Sequence, residues 1–343
     1  MKKINIILFL MYFTLGLSQE TNLKDLYNKK EYDKAIKLAQ TTLISSPDDF
    51  ETQLMLLKIY NSKCDYPAAR ALLTKLSSND EKFLIESLKT HYGLGNTKEA
   101  KRIYDQLIKD SKNGVLKKEL LKFGLVTGLD LIYDDWKIKE TQNIVFHFQQ
   151  SIPVEKMQNI VASRQKAFEK INNFFNSVLP KKIDFFIWDT EESYNSYLKT
   201  NLGFTFTQFC ISHNRLNQSP GHEIAHNISF WKNPEQKKVI FINEGIGVYF
   251  DQQGNNRLEA AKEAYRKDPT NIKEIWQNNR RAEESIMYPI AGAFIEYLIQ
   301  YDKEKFFQLT EDQTYENAIK VYDKKIERLI EDFLKTLESY QGN

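Results

Sequence analysis

Cysteine is almost missing from this chain: Cys64 and Cys210 are the only two in 343 residues. So widely separated a pair makes no disulfide framework. Neither has a Cys or His partner at zinc-ligand spacing, so both are expected to be small buried hydrophobes. Thirteen Gly and eight Pro are too few for a collagen-like or low-complexity chain. Charge of one sign is also lacking, with 48 Lys+Arg against 46 Asp+Glu. Residues 1–18 hold Lys2, Lys3 and no acid, so without them the balance is 46 against 46. A balanced chain lacks the basic excess that binding to nucleic acid or an anionic membrane requires, and no nucleic-acid partner is expected. Past the first segment no apolar run approaches the roughly 20 residues that cross a bilayer, so no membrane span is expected. What the chain does have is 41% hydrophobic residues, enough for a folded core, in a length that allows about two domains.

Lys2 and Lys3 precede an apolar run over 4–17, and Gly16 and Ser18 put small residues at −3 and −1 before Gln19. This is the three-part layout of a secretory signal peptide. The run, at roughly 14 residues, is short for a membrane anchor. Cleavage after 1–18 and export to the periplasm or the extracellular space are expected, with no lipid anchor because no Cys follows the small residues.

Residues 19–130 contain a returning pattern. Lys30-Glu31-Tyr32-Asp33-Lys34-Ala35-Ile36 is echoed 34 residues later by Cys64-Asp65-Tyr66-Pro67-Ala68-Ala69-Arg70. A third copy, Gly95-Asn96-Thr97-Lys98-Glu99-Ala100, comes 31 residues after the second, counted from Ala69 to Ala100. A short turn, a small Ala and then helical apolar spacing resemble the tetratricopeptide repeat. The Ala lets two helices approach closely, and no unit buries its apolar face alone. The resemblance implies a concave helical array able to take a peptide or protein partner. The bland alternative is an array that only packs against, or spaces out, the domain behind it.

From about 131 the pattern changes. Asn143-Ile144-Val145-Phe146-His147-Phe148 alternates as a strand does. Apolar spacing over 154–178 predicts a helix closed near Pro180. Ile183-Asp184-Phe185-Phe186-Ile187-Trp188 reads as a second strand, 191–199 as a short helix, and Phe206-Thr207-Gln208-Phe209-Cys210-Ile211 as a third strand. Strands mixed with helices in this order predict an α+β domain over 131–343, with helices at its C-terminal end.

Next comes Ser219-Pro220-Gly221-His222-Glu223-Ile224-Ala225-His226. Ser219 is a plausible helix N-cap with Pro220 at the first helical position. His222 and His226 then share one helix face, and both imidazoles can reach one tetrahedral Zn²⁺ at about 2.0–2.1 Å. Glu223 is poorly placed as a ligand but well placed to accept a proton from water at the ion. This is the H-E-x-x-H arrangement of zinc peptidases. Seventeen residues separate His226 from Glu244, in Asn243-Glu244-Gly245-Ile246-Gly247-Val248-Tyr249-Phe250. A carboxylate on such an apolar helix needs a cation or hydrogen-bond partner. With His222, His226 and Glu244 as protein ligands, a fourth position is left for water, as catalysis requires. His213, close upstream, is either a substrate contact or a solvated loop residue, while His147 and His91 read as structural.

These two segments resemble the helices of the gluzincin metallopeptidases, the peptidase MA group, and above all its small domains in bacterial secreted proteins. The resemblance covers roughly 140–312. It implies one Zn²⁺ per chain, a peptide or protein substrate, and hydrolysis of peptide bonds by an ion-activated water with Glu223 as general base. In Met287-Tyr288-Pro289-Ile290-Ala291-Gly292, Tyr288 matches the Tyr that hydrogen-bonds the oxyanion just before the group's next helix. The Gly-x-Met-Glu-Asn element of the aminopeptidases has no counterpart before His222, which favours an endopeptidase. The rival expectation is a catalytically silent scaffold that binds peptides through its repeats. An edge strand near Thr207–Ile211 is expected to hold the substrate extended.

Overall fold

The computed structural model describes residues 22–340 apart from 201, 252, 253, 255, 270, 280–282 and 324; the segment read as a signal peptide lies outside the described residues. The chain divides into two compact units, Met1–Gly124 and Leu125–Asn343.

In the first unit a helical stretch over 22–28 precedes helices Tyr32–Ser45, Phe50–Ser62, Tyr66–Leu73, Glu81–Gly93 and Thr97–Asp110, and then the start of Gly114–Thr127. The sequence echo has a backbone counterpart. Lys30, Cys64 and Gly95 all adopt left-handed φ values of 58°, 60° and 76°. At each, two backbone bonds close the preceding helix: Lys30 to Tyr27 and Glu31 to Leu26, Cys64 to Asn61 and Asp65 to Tyr60, Gly95 to Tyr92 and Asn96 to His91. This is the Schellman pattern of helix termination. The next helix starts at Tyr32, Tyr66 or Thr97 and buries Ala35, Ala69 or Ala100 completely. Ala35 and Ala39 pack with Leu23, Leu56 and Ile59, whereas Ala69 packs with Leu54, Leu57 and Phe83.

The second unit is α+β. Its five-stranded sheet has the order β1-β2-β3-β5-β4, where β1 is Lys137–Glu140, β2 Ile144–Phe148, β3 Ile183–Trp188, β4 Phe204–Phe206 and β5 Ile211–Arg215. β2, β3 and β5 run parallel, and the two edge strands pair antiparallel to their neighbours. Helix Val154–Phe175 connects β2 to β3, as the spacing predicts, and ends at Asn176 in the left-handed conformation. A row of stacked rings crosses the sheet at one register: His147 on Phe186 at 4.3 Å, Phe186 on His213 at 4.6 Å, and His213 on Phe204 at 4.8 Å. On the C-terminal side helix Ile240–Tyr249 packs against helix Glu284–Tyr301. Small residues permit that approach, since a Cβ on Gly245 would lie 2.8 Å from Ala291 O and one on Gly292 2.3 Å from Val248 Cγ1. The helices ending the chain, Tyr315–Val321 and Ile326–Ser339, belong to the same unit, with Phe333 against Phe294 at 5.2 Å.

Three local expectations are corrected. The strand expected over Phe206–Ile211 is two strands separated by a 3₁₀ turn, Thr207–Phe209, and by Cys210 at φ 51°. The sheet edge is therefore β4, and β5 is interior. The histidine-bearing helix begins at His222 with Gly221, not Ser219, as its N-cap. Tyr288 and Pro289 lie inside helix Glu284–Tyr301 rather than at its start, so the proline removes a bond to the Ser285 carbonyl. Cys64 and Cys210 are both buried, as expected.

Candidate functional site

Helix His222–Lys232 is tied to the sheet before it presents any chemistry. The Asn227 amide donates to Ser212 Oγ at 2.9 Å, and the Trp231 indole donates to Thr207 O at 2.9 Å. Its entry needs Gly221, where a Cβ would fall 1.8 Å from Phe250 O. Arg164, buried in helix Val154–Phe175, donates to Gln218 O at 2.8 Å and so holds the turn that leads into the helix. Burial pushes the Arg164 pKa down to about 10.

His222 and His226 stand one turn apart, with ring centroids 4.8 Å from each other. Helix Ile240–Tyr249 brings Glu244 to them: its Oε2 is 3.3 Å from His222 Nε2 and 3.5 Å from His226 Nε2. One donor atom from each of the three residues lies within 4.8 Å of the other two. A tetrahedral ion with bonds of about 2.0–2.1 Å needs its donors about 3.3–3.4 Å apart, and the carboxylate meets both imidazoles near that separation. Two imidazole nitrogens and one carboxylate oxygen are also the donor types that zinc takes in open sites. The donor types and two of the three separations fit the ion.

The surroundings are consistent with a cation there. Burial alone would raise the Glu244 carboxyl; the His226 charge and the hydrogen bonds from both imidazoles outweigh it and hold the group well below the usual carboxylate range. Burial alone would lower His222, but its bond to Glu244 and the charges of Glu223, Glu244 and Asp251 leave it raised. A divalent ion supplies the same counter-charge with both imidazoles neutral. The Asn243 amide lies 3.2 Å from His226 Nδ1, and its buried Oδ1 has no other partner. With that oxygen turned to accept the Nδ1 proton, Nε2 keeps its lone pair for a metal. Gly247 is needed beside His222, because a Cβ there would lie 2.6–2.8 Å from three ring atoms.

Glu223, adjacent to the first histidine, is buried, and its Oε2 accepts a hydrogen bond of 2.5 Å from Thr205 Oγ1 on β4. The Tyr288 ring lies nearly parallel to His222, at 6.0 Å and 20°. His222, Glu223, His226, Glu244 and Tyr288 line one cavity of about 740 Å³ together with Thr205. The five candidate site residues are therefore brought together.

His213 is neither a substrate contact nor a solvated loop residue. It is fully buried in β5, accepts from the Trp188 indole at Nδ1 (3.2 Å) and donates from Nε2 to Val126 O (2.8 Å). Burial pushes its pKa down to about 3 and the ring stays neutral. His147 pairs with Asp184 at 2.9 Å, in keeping with a structural part.

Sequence reasoning missed Gly203, Thr205, Asn243 and Gly247. Only Asn243 and Gly247 carried a local signal, as neighbours of Glu244 on its helix. No family model matches the chain, and no curated protein matches it.

Proposed function

We propose that the second unit is a zinc-dependent peptidase of gluzincin type, holding one Zn²⁺ through His222, His226 and Glu244. The observation that carries this reading is the meeting of two imidazoles and a carboxylate beside the buried carboxylate of Glu223, in the wall of one cavity. The ion would supply Lewis-acid polarisation of a carbonyl and bring the pKa of water toward about 7. Glu223 takes the proton of the attacking water and delivers it to the leaving amine. The Tyr288 hydroxyl donates to the oxyanion that develops on the substrate. Asn243 keeps His226 in the tautomer that presents Nε2. The open side of β4 offers backbone groups to an extended substrate, which suits an endopeptidase acting on peptides or proteins. The N-terminal segment supports an exported enzyme, and the helical pairs of the first unit support a partner-binding array.

The test is digestion of a fluorogenic peptide library by the purified chain, with and without chelator, beside Glu223→Gln. Cleavage that chelator stops and zinc restores is expected. The Glu223→Gln chain is expected to lose at least about 10²–10⁴-fold in turnover while keeping its zinc. Bound zinc with no cleavage would contradict the peptidase reading and favour the scaffold.

A further inference from the structure

We infer that Gly203 and Thr205 of the edge-strand segment position the Glu223 carboxylate, Thr205 by donating to one oxygen and Gly203 by leaving room for the other. The inference rests on the peptidase reading for its kinetic consequence, but its geometry stands on contacts alone. Residues two apart on an extended strand face the same side. Thr205 Oγ1 donates to Glu223 Oε2 at 2.5 Å. A Cβ on Gly203 would lie 2.7 Å from Glu223 Oε1 and 3.0 Å from Gln218 Oε1. Both oxygens of one carboxylate are thus set by a single stretch of chain eighteen to twenty residues upstream.

The donor is itself held. Thr205 pairs with Ser212 in the β4–β5 register. Ser212 Oγ accepts from Asn227, and the same Asn227 amide lies 3.3 Å from the Glu223 carbonyl. The circuit runs from strand to strand to helix and back to Glu223. A threonine suits the place because its branched Cβ restricts χ1 and aims the hydroxyl. Gly203 has no left-handed φ, so replacing it acts through the contact and not through backbone strain. Thr205 and Gly203 are positioning residues: neither needs to touch the substrate's reacting atoms.

A hydrogen bond to a charged group is worth enough that its loss costs roughly 10- to 100-fold in rate when it aligns a base. In the zinc-loaded full chain, Thr205→Val is expected to lower kcat by about that factor, with KM changed by less than about twofold. Zinc content stays at that of the unaltered chain. Thr205→Ser, which keeps the hydroxyl, restores kcat to within about threefold. Gly203→Ala, which pushes the carboxylate away, lowers kcat as Thr205→Val does. A second readout needs neither metal nor turnover: the ¹³C carboxyl signal of Glu223 in a chain labelled at glutamate, assigned by its loss in Glu223→Gln. That signal shifts in Thr205→Val and returns in Thr205→Ser. An unmoved signal in Thr205→Val, or unchanged kcat in it, overturns the inference. If the unaltered chain cleaves nothing, the peptidase reading fails while the carboxyl signal still decides the positioning.

Discussion

Gly247→Ala separates the proposed metal site from the fold, because zinc affinity and metal-free stability are expected to respond in opposite directions. The added Cβ would sit 2.6 Å from His222 Cε1, 2.7 Å from Nε2 and 2.8 Å from Nδ1. Ordinary carbon contact begins near 3.4 Å, so the ring must retreat by about 0.8 Å. Metal–ligand bonds tolerate only about 0.2 Å of error. His222 then leaves its bonding position, and zinc affinity falls by about 10- to 100-fold, the range seen when the support of a ligand is lost. The metal-free chain has no such requirement. In it the ring can retreat at the cost of its 3.3 Å bond to Glu244, which a helical Gly→Ala gain of up to about 1 kcal/mol offsets. Competition with a chromophoric chelator measures the affinity, and melts with and without zinc measure the stability. The metal-free midpoint should hold or rise while the zinc-dependent increment shrinks. Wild-type zinc affinity in Gly247→Ala would refute the assignment of His222 as a ligand.

Tyr288→Phe removes the proposed oxyanion donor and leaves the ring that lies against His222. It is expected to lower kcat by about 10²–10³-fold with zinc content unchanged, and wild-type kcat in this variant would dismiss Tyr288 from the chemistry. His213 gives a pH prediction. Its pKa is about 3 when folded and about 6.5 when unfolded, so protons bind the unfolded chain first as pH falls. Stability from the neutral ring is complete above about pH 6.5 and declines toward pH 3 by about 1.4 kcal/mol per unit. Urea titrations monitored by tryptophan fluorescence report the second unit, because Trp136, Trp188, Trp231 and Trp276 all lie there. The stability gap between wild type and His213→Gln should narrow by about 1.4 kcal/mol between about pH 7.5 and about pH 5.5. A gap independent of pH would argue against a neutral buried ring.

How much the sequence disclosed depends on the range of the interactions involved. The helical turns at Lys30, Cys64 and Gly95 are local events, and the echo around Tyr32, Tyr66 and Thr97 records them in consecutive residues. The face shared by His222 and His226 is equally local, fixed by helix pitch. Strands at the sheet edges are harder to read. β1, Lys-Ile-Lys-Glu, is mostly exposed and shows no apolar alternation. β4 and β5 merge in the sequence because Phe206, Phe209 and Ile211 look like one apolar run. The left-handed Cys210 that breaks it is a residue type with no special liking for that conformation. Pro289 looks like a helix start, yet a full turn precedes it. The hydrogen bond from Thr205 to Glu223 spans eighteen residues and depends on sheet register, which no local pattern encodes.

Anomalous diffraction at the zinc edge from crystals of the zinc-loaded chain decides whether His222, His226 and Glu244 hold one divalent ion, as proposed. A single strong peak is expected about 2.0–2.1 Å from both imidazole Nε2 atoms and from a carboxylate oxygen of Glu244. No peak between the two helices, or one with the Glu244 carboxylate turned away from it, would rule out this ligand set.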